Sequence, residues 1–226
     1  MFNQFAFAAI WKKNRIWNKH MMWNIVVCLN VVHLVAFWGT VGLVRWMYYP
    51  NTSLDMRCVK QVLVNQLLHA PFIPLAVSDK PWTTYSGWHV LWQVPVIYVL
   101  SDVIFFTLHR LAHTRWLYRH VHRIHHEFES PVPESSLYAH PAEHLLVNAA
   151  TVGIPLRLVR ADPILMGCWI AGASMNVVVT HATQTGNHMH TLHHQKRTVN
   201  YGITTYWMDT LFGTVDTYVE NKFKDC

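Results

Sequence analysis

Long apolar segments dominate this sequence and limit what it can fold into. Residues 21–44 are almost entirely apolar and, at 1.5 Å per residue, are long enough to cross a hydrocarbon core of about 30 Å as one helix. Residues 88–108 form a second run of this kind, with Pro95 as an expected kink. Only 13% of the 226 residues are charged, roughly half the share found in soluble domains, which indicates either a membrane protein or a large buried core.

Two further apolar regions are interrupted by helix-breaking residues. Residues 59–77 contain Pro71 and Pro74, a pattern that fits a kinked span, a re-entrant hairpin or a helix buried among others. Residues 145–160 and 163–180 form an apolar pair that predicts a membrane hairpin. The expected fold is therefore all-α, a polytopic membrane protein with about four transmembrane or re-entrant helices.

The polar stretches of the chain suggest one aqueous cap. Residues 110–144 and 181–226 are rich in histidine and lack long apolar runs, so we expect them to form a cytosolic helical cap within a single domain, residues 1–226. Basic residues gather before the first apolar run and in the cap: Lys12, Lys13, Arg15, Lys19, Arg110, Arg115, Arg119, Arg123, Lys196 and Arg197. The positive-inside rule favours a cytosolic location for both groups, which requires residues 59–77 to turn back within the membrane. The formal net charge is +6, but no nucleic-acid-binding motif accompanies it, so no nucleic-acid partner is predicted.

Three of the histidine clusters have spacings that suit metal binding. His109 and His113 lie four residues apart in HRLAH, so they share one face of a helix that continues from residues 88–108. Two further clusters, HRIHH and HTLHH, repeat an i, i+3, i+4 spacing, which predicts three rings on one helical face in each: His122, His125 and His126, and His190, His193 and His194.

These eight imidazoles exceed the needs of one metal ion, since a tetrahedral zinc site takes four ligands. The surplus favours two ions with open positions. Imidazole suits iron, copper, nickel and zinc, so the ligands alone do not identify the metal. The alternative, histidines that only titrate or solvate the surface, does not account for three ordered clusters beside apolar hairpins.

The motifs HRLAH, HRIHHE, YAHPAEH and HTLHHQKRTVNYG, followed by D-x-LFGT, resemble those of the fatty acid hydroxylase/sterol desaturase superfamily over residues 100–214. The resemblance implies an endoplasmic-reticulum membrane protein with two iron ions held by histidine and an active site that faces the cytosol. It also implies O2 as co-substrate and electrons from NAD(P)H through cytochrome b5 or an equivalent carrier.

The resemblance implies a set of metal ligands, and the chemistry of the neighbouring acidic residues suggests supporting roles for them. The metal ligands it indicates are His109, His113, His122, His125, His126, His190, His193 and His194, with His181 as a further ligand. Glu143 of YAHPAEH is expected to accept a hydrogen bond from a ligand's second ring N–H. Asp102, two helical turns before His109, is expected to orient a ligand or an arginine, because an acid in a membrane helix is costly. Asp209 is expected to support the site and, with the NYG turn, to close the cap, and no separate catalytic acid or base is assigned.

A C–H bond resists acid–base chemistry, so its oxidation needs a redox metal, and a site above membrane helices can receive a lipid from the bilayer. Among branches of the superfamily, the chain most resembles the C4-methylsterol oxidases and related sterol hydroxylases. The alternatives are a sphingolipid or fatty acyl hydroxylase and, in a different class, a histidine-rich metal transporter. A transporter would carry its ligands near the bilayer midplane, whereas these clusters follow the apolar runs, which favours an enzyme.

Overall fold

The computed structural model describes residues 4–77, 87–186 and 188–217, with side chains from residue 20 onward. Within this part of the chain all regular secondary structure is helical, which confirms the predicted all-α class. The α-helices, labelled α1 to α10 in chain order, are Gln4–Tyr48, Met56–His69, Ile73–Ala76, Gly87–Ala112, Arg115–His120, Pro141–Glu143, Ala150–Leu158, Pro163–Thr180, His188–Lys196 and Trp207–Phe212. Short 3-10 segments at Ala70–Phe72, His122–Glu127, Pro133–Leu137 and Thr183–Thr185, and a π-helical segment at His144–Ala149, connect them.

Three of the described helices are long and apolar enough to cross a membrane: His20–Tyr48 within α1, Trp88–Ala112 within α4, and the whole of α8. They coincide with three of the apolar runs that the sequence predicts as spans. Large apolar side chains such as Val27, Val35 and Leu91 are exposed on these helices. Such a surface suits lipid tails better than water.

Residues 59–77 follow a different path from the one expected. Val62 packs into the cluster that includes Val44, near the end of α1, whereas Val77 packs beside Val26, near the start of the α1 span. The segment therefore runs antiparallel to α1 through the bundle as a broken helix, and the expected turn back within the membrane is wrong. Each proline of the segment occupies the first turn of a new helical piece, where its missing N–H costs little, so the chain continues in one direction.

This path has a consequence for the topology. Ile97, in the first half of α4, packs in the same cluster as Val26 and Val77, so α4 starts near the level at which the α1 span begins and ends at the cap. The N-terminal end of the His20–Tyr48 span and the histidine-rich cap therefore lie at opposite ends of the bundle. The basic residues before the first apolar run and those of the cap therefore cannot both lie on the cytosolic side, as the positive-inside rule favours.

The predicted membrane hairpin forms with unequal arms. Its first arm consists of the π-helical segment and α7, and its second arm is α8. Asp162 caps α8, since its Oδ1 accepts hydrogen bonds from the backbone N–H groups of Ile164 at 2.8 Å and Leu165 at 3.1 Å. In the part of the chain that the structure describes, the first arm is not among the helices long and apolar enough to span alone.

Buried polar contacts fasten the cap to the C-terminal end of α1 and to α2. Arg45 Nη1 lies 2.8 Å from both carboxylate oxygens of Glu134, whose side chain is 1% exposed. Asn65 of α2 donates to the backbone carbonyls of Leu137 at 3.1 Å and Ala139 at 3.0 Å. These contacts place the cap segments against the ends of the spans from which the histidine motifs emerge.

Candidate metal centre

The HRLAH motif lies where α4 leaves the bundle. His109 is in the last turn of α4, and His113 follows the final helical residue, Ala112. The backbone N–H of His113 still donates to the carbonyl of His109 at 3.2 Å, so the helical geometry continues to this residue. The two rings lie one turn apart, with centroids separated by 5.1 Å, as the spacing predicts.

The HRIHH motif forms a 3-10 segment, His122–Glu127, so the expected α-helical face is wrong for this cluster. His126 departs from helical backbone angles, with φ −86° and ψ 15°. In the tighter 3-10 turn, positions i and i+3 eclipse, and the His122 and His125 rings stack with centroids 5.5 Å apart. His125 nevertheless reaches a different neighbour, because its Nε2 lies 3.3 Å from that of His181.

The HTLHH motif lies on α9, as expected for a helical face. His190 and His194 are separated by one turn, and the His190 Nε2 lies 2.9 Å from the Nε2 of His181. His181 itself caps the C-terminal end of α8. His193, between the other two, approaches His113 instead, with 3.1 Å between their Nε2 atoms.

The structure brings all nine predicted histidines together and divides them into two groups. Within each group, one potential ligand atom per residue lies within 4.8 Å of every other. The first group is His109, His113, His122, His126 and His193, and the second group is His125, His181, His190 and His194. All are buried except His113, which is half-buried, so both groups are shielded from solvent.

Backbone carbonyl groups fix the orientation of five of these rings. In each case a backbone carbonyl oxygen accepts a hydrogen bond from the Nδ1 atom of a histidine. The carbonyl of Tyr201 accepts from His109 at 2.7 Å, that of Tyr138 from His125 at 3.2 Å, that of Val177 from His181 at 2.8 Å, that of Val199 from His193 at 2.7 Å and that of Phe128 from His194 at 2.9 Å. Because a carbonyl oxygen only accepts, the proton resides on Nδ1 and the lone pair on Nε2. Nothing in the sequence marks these acceptors, since every residue type has a carbonyl.

Glu143 orients a sixth ring, that of His122. Its Oε1 accepts from the His122 Nδ1 at 2.8 Å, and both side chains are buried. Burial raises the pKa of Glu143 well above its ordinary value, so the carboxylate needs a nearby positive charge to remain ionised. A cation in the first group would supply that charge through His122.

The nitrogen atoms of the two groups fit a bound cation. The His122 Nε2 lies 2.9 Å from that of His113 and 3.0 Å from that of His126, and lone pairs this close repel unless a proton or cation lies between them. The Nε2 atoms of His109 and His194 are buried without a hydrogen-bond partner among the described residues. Burial lowers the pKa of His125 to about 4 and of His113 to about 2, which keeps these rings neutral and available as ligands.

Asp209 supports the site through the NYG turn. Its two carboxylate oxygens accept from the backbone N–H groups of Tyr201 and Gly202, each at 2.8 Å, and Oδ1 also accepts from the Thr214 hydroxyl at 2.7 Å. The carbonyl of Tyr201 is the group that orients His109. The carboxylate therefore fixes a ligand-orienting carbonyl rather than a ligand.

The hydrogen bonds that the structure shows for Asp102 go to residues other than the nine histidines. Its Oδ2 accepts hydrogen bonds from the Thr205 hydroxyl and, at 2.9 Å, from the Trp207 indole N–H. These contacts join α4 to the segment 205–207, which links the NYG turn to the start of α10. Any effect of Asp102 on a ligand passes through that segment.

A cavity of about 920 Å³ lies between the helices, and its wall is mostly apolar. Phe105 and Val177 are part of this wall, and each also contacts a histidine of the two groups. The Phe105 ring centroid lies 5.0 Å from that of His109, and the Val177 carbonyl orients His181. The cavity therefore lies beside the histidine groups, separated from them by these wall residues, and is large enough for a lipid-sized molecule.

Sequence comparisons with known proteins identify the relatives of this chain. The model of the fatty acid hydroxylase family matches residues 94–214. The very-long-chain aldehyde decarbonylase GL1-8 of Oryza sativa subsp. indica is 33% identical over 85% of this chain and 70% of its own. Methylsterol monooxygenase 1 of Gallus gallus is 30% identical over 78% of this chain and 67% of its own.

Fatty acid hydroxylase ahd1 of Mycosarcoma maydis is 31% identical over 70% of this chain and 43% of its own. No solved structure matches the chain. The family match covers the region from within the second membrane span to the NYG and LFGT motifs, which contains all nine histidines. The chain belongs to the fatty acid hydroxylase family.

Proposed function

We propose that this chain is a membrane oxygenase that uses two iron ions and O2 to oxidise a C–H bond of a lipid. The observation that carries the proposal is the division of nine inward-facing histidines into two groups beside an apolar cavity. Two separate groups match the need for two metal ions. The cavity matches the need to hold an apolar substrate away from water.

The two groups of histidines are the proposed ligand sets. Iron bound there supplies redox chemistry, activating O2 for attack on an unreactive C–H bond. The protein's own residues perform the orienting work: backbone carbonyls hold the Nδ1 protons of five ligands, and Glu143 holds that of His122. Rings fixed in this way present their Nε2 lone pairs without further rearrangement.

Ion transport is the alternative function for the same cluster, but the position of the cluster argues against it. His109 is at the end of α4, and the HRIHH and HTLHH motifs lie in the cap beyond the spans. A transport site is expected near the bilayer midplane between discontinuous spans. The position at the end of the spans favours an enzyme that receives its substrate from the bilayer.

For the substrate, we propose a C4-methylsterol, in keeping with the methylsterol monooxygenases among the relatives. A second candidate is a long-chain aldehyde, because GL1-8, at 33% identity, is named as a very-long-chain aldehyde decarbonylase. Both are lipids with one small polar group on a large apolar body. An acyl or sphingolipid hydroxylase activity is the third possibility within the family, represented by ahd1.

We further propose that the protein resides in the endoplasmic reticulum membrane with its cap in the cytosol. The cap carries six of the basic residues identified in the sequence, and the positive-inside rule favours a cytosolic side for them. In this orientation the site receives electrons from NAD(P)H through cytochrome b5 or an equivalent carrier protein.

The proposal is tested by O2 consumption of the purified, iron-loaded protein with a chemical or protein reductant. A C4-methylsterol, a long-chain aldehyde and a long-chain fatty acid are supplied separately, and the products are identified by mass spectrometry. We expect O2 uptake coupled to one oxidised lipid product. The His125→Ala variant should abolish it, whereas His120→Ala, an exposed histidine outside both groups, should retain it. Absence of O2 uptake with every lipid in iron-loaded protein would contradict the proposal.

A further inference from the structure

Three histidines outside the two metal groups lie together inside the membrane part of the fold. His33 is near the middle of the His20–Tyr48 span, His69 ends α2, and His144 begins the π-helical segment. The ring centroids of His33 and His69 are 4.9 Å apart, and those of His69 and His144 are 5.1 Å apart. All three line the apolar cavity, and we refer to them as the histidine trio.

Neighbouring side chains fully occupy the His33 end of the trio. The Gln66 amide donates to His33 Nε2 at 3.2 Å, while Gln66 Oε1 accepts from the Trp38 indole at 3.0 Å. The Ser174 hydroxyl donates to the Ile170 carbonyl at 2.7 Å and so accepts from His33 Nδ1 at 2.8 Å. This chain of hydrogen bonds fixes the His33 ring, which supports its neighbour His69.

The other end of the trio has an unsatisfied polar atom. His144 Nε2 lies 3.0 Å from His69 Nδ1, and His144 Nδ1 is buried without a partner among the described residues. If His69 donates in this pair, the proton of His144 is on Nδ1 and needs an acceptor; if His144 donates, its Nδ1 needs a donor. A hydroxyl group satisfies both cases because it donates and accepts.

The backbone conformation at His144 is also unusual. The residue begins a π-helical segment of six residues. Such segments are rare, and they occur frequently at functional sites. The preceding residue, Glu143, orients His122 of the first metal group. One turn of chain therefore contacts the metal centre through Glu143 and the cavity through His144.

We propose that the histidine trio binds the hydroxyl group of a lipid alcohol whose apolar body fills the cavity. This inference rests on the proposed lipid oxygenase function and adds a recognition element to it. A charged headgroup in the membrane interior needs a countercharge, and the contacts found for the trio among the described residues are uncharged: imidazole, amide, hydroxyl and aromatic groups and the backbone carbonyl of Asn65. The trio thus selects an uncharged oxygen, and the lipid is positioned relative to the metal centre by adjacent residues.

The test measures retained lipid rather than turnover. The full-length, metal-loaded protein in detergent is incubated with equal amounts of hexadecan-1-ol and hexadecane, and separately with cholesterol and cholestane. After gel filtration, the lipids that remain bound are quantified by mass spectrometry. The first pair reports on a chain alcohol and the second on a sterol, so the preferred pair identifies the source of the hydroxyl.

We expect the wild-type protein to retain the alcohol about tenfold over its alkane in at least one pair, the effect of one hydrogen bond of about 1.4 kcal/mol. His144→Phe and His69→Phe should each bring the ratio close to one without changing the metal content. The matched control is His120→Phe, an exposed position whose ring bonds only to its own helix among the described residues, and it should keep the wild-type ratio.

Equal retention of alcohol and alkane by the wild-type protein overturns the proposal. It is also overturned if the folded His144→Phe and His69→Phe variants keep the preference for the alcohol. Loss of a metal ion from these variants overturns it as well, because the trio would then be a metal site. Wild-type protein that prefers the alcohol but binds no iron would contradict the proposed oxygenase function alone. Protein with iron and turnover but without the preference would contradict only the role of the trio.

Discussion

At the scale of single residues, the hydrogen-bond acceptor at Nδ1 determines which ring nitrogen of each histidine is free to bind a metal. An acceptor at Nδ1 holds the proton there and leaves the lone pair on Nε2. Carbonyl groups hold five rings, and the Glu143 carboxylate holds the ring of His122. The carboxylate differs from the carbonyls because it brings a negative charge into a site whose ligands are neutral. That charge raises the basicity of His122 and offsets part of the charge of a bound cation.

Replacing Glu143 with glutamine tests this role. The amide oxygen of the introduced glutamine can still accept from His122, so the ring orientation survives while the charge is lost. We expect the Glu143→Gln variant to bind metal in the first group about 10-fold to 100-fold more weakly, measured by chelator competition. Glu129→Gln, at an exposed carboxylate, is the control and should leave the affinity unchanged. Equal affinities for the two variants would show that the charge of Glu143 has no role.

Gly202 is a second residue whose identity is set by its surroundings. A Cβ atom there would lie 2.7 Å from the Thr205 carbonyl oxygen and 2.9 Å from Asp209 Oδ2. We expect Gly202→Ala to lower the free energy of unfolding by about 1–3 kcal/mol, because the turn must open to admit the methyl group. Gly172→Ala, with no atom within 4 Å of its added Cβ, is the matched control. Thermal unfolding that is identical for both variants would contradict this account of the NYG turn.

At the scale of elements, each HxxHH motif contributes histidines to both of the two groups. HRIHH gives His122 and His126 to the first group and His125 to the second, while HTLHH gives His190 and His194 to the second and His193 to the first. The sequence spacing identified these residues but not their division. The division depends on which neighbouring segment each ring meets, and on the 3-10 geometry of HRIHH, which spacing does not reveal.

The contact between α1 and the cap is also an element-scale feature. Arg45 and Glu134 form a buried pair, with side chains 11% and 1% exposed. We expect Glu134→Leu to destabilise the protein by about 3–5 kcal/mol, because it leaves the Arg45 charge poorly compensated. The exposed Arg57, which pairs with Asp55, provides the control, since Arg57→Met should leave the free energy of unfolding nearly unchanged. Chemical unfolding in detergent measures both, and equal losses would mean that the buried pair does not fasten the cap.

At the scale of the whole molecule, the long apolar runs predicted three spans and the hairpin, because about twenty apolar residues leave few alternatives in a membrane. The path of residues 59–77 was not predictable in the same way. Proline breaks the hydrogen-bond series of a helix but does not determine whether the chain reverses. Packing of Val62 and Val77 against opposite ends of α1 determines the direction, and such contacts are not visible in a sequence.

The resulting topology is testable with single cysteines in a background that lacks the native ones. The structure places the start of the α1 span and the cap at opposite ends, so His20→Cys and Trp116→Cys, both at exposed positions, should face opposite sides of a membrane. In sealed microsomes an impermeant maleimide should label only one of them, and the other should react after permeabilisation. Labelling of both from one side would contradict the path of residues 59–77.

The central claim, that the nine histidines form two separate metal sites, is tested most directly by metal content. Protein reconstituted with Fe(II) is desalted, and iron per chain is measured for the wild type, for His193→Ala of the first group, for His190→Ala of the second group, and for the double variant. We predict about two ions for the wild type, about one for each single variant and none for the double variant. His120→Ala should match the wild type. A wild-type protein that holds fewer than two ions, or single variants that keep both, would contradict the claim.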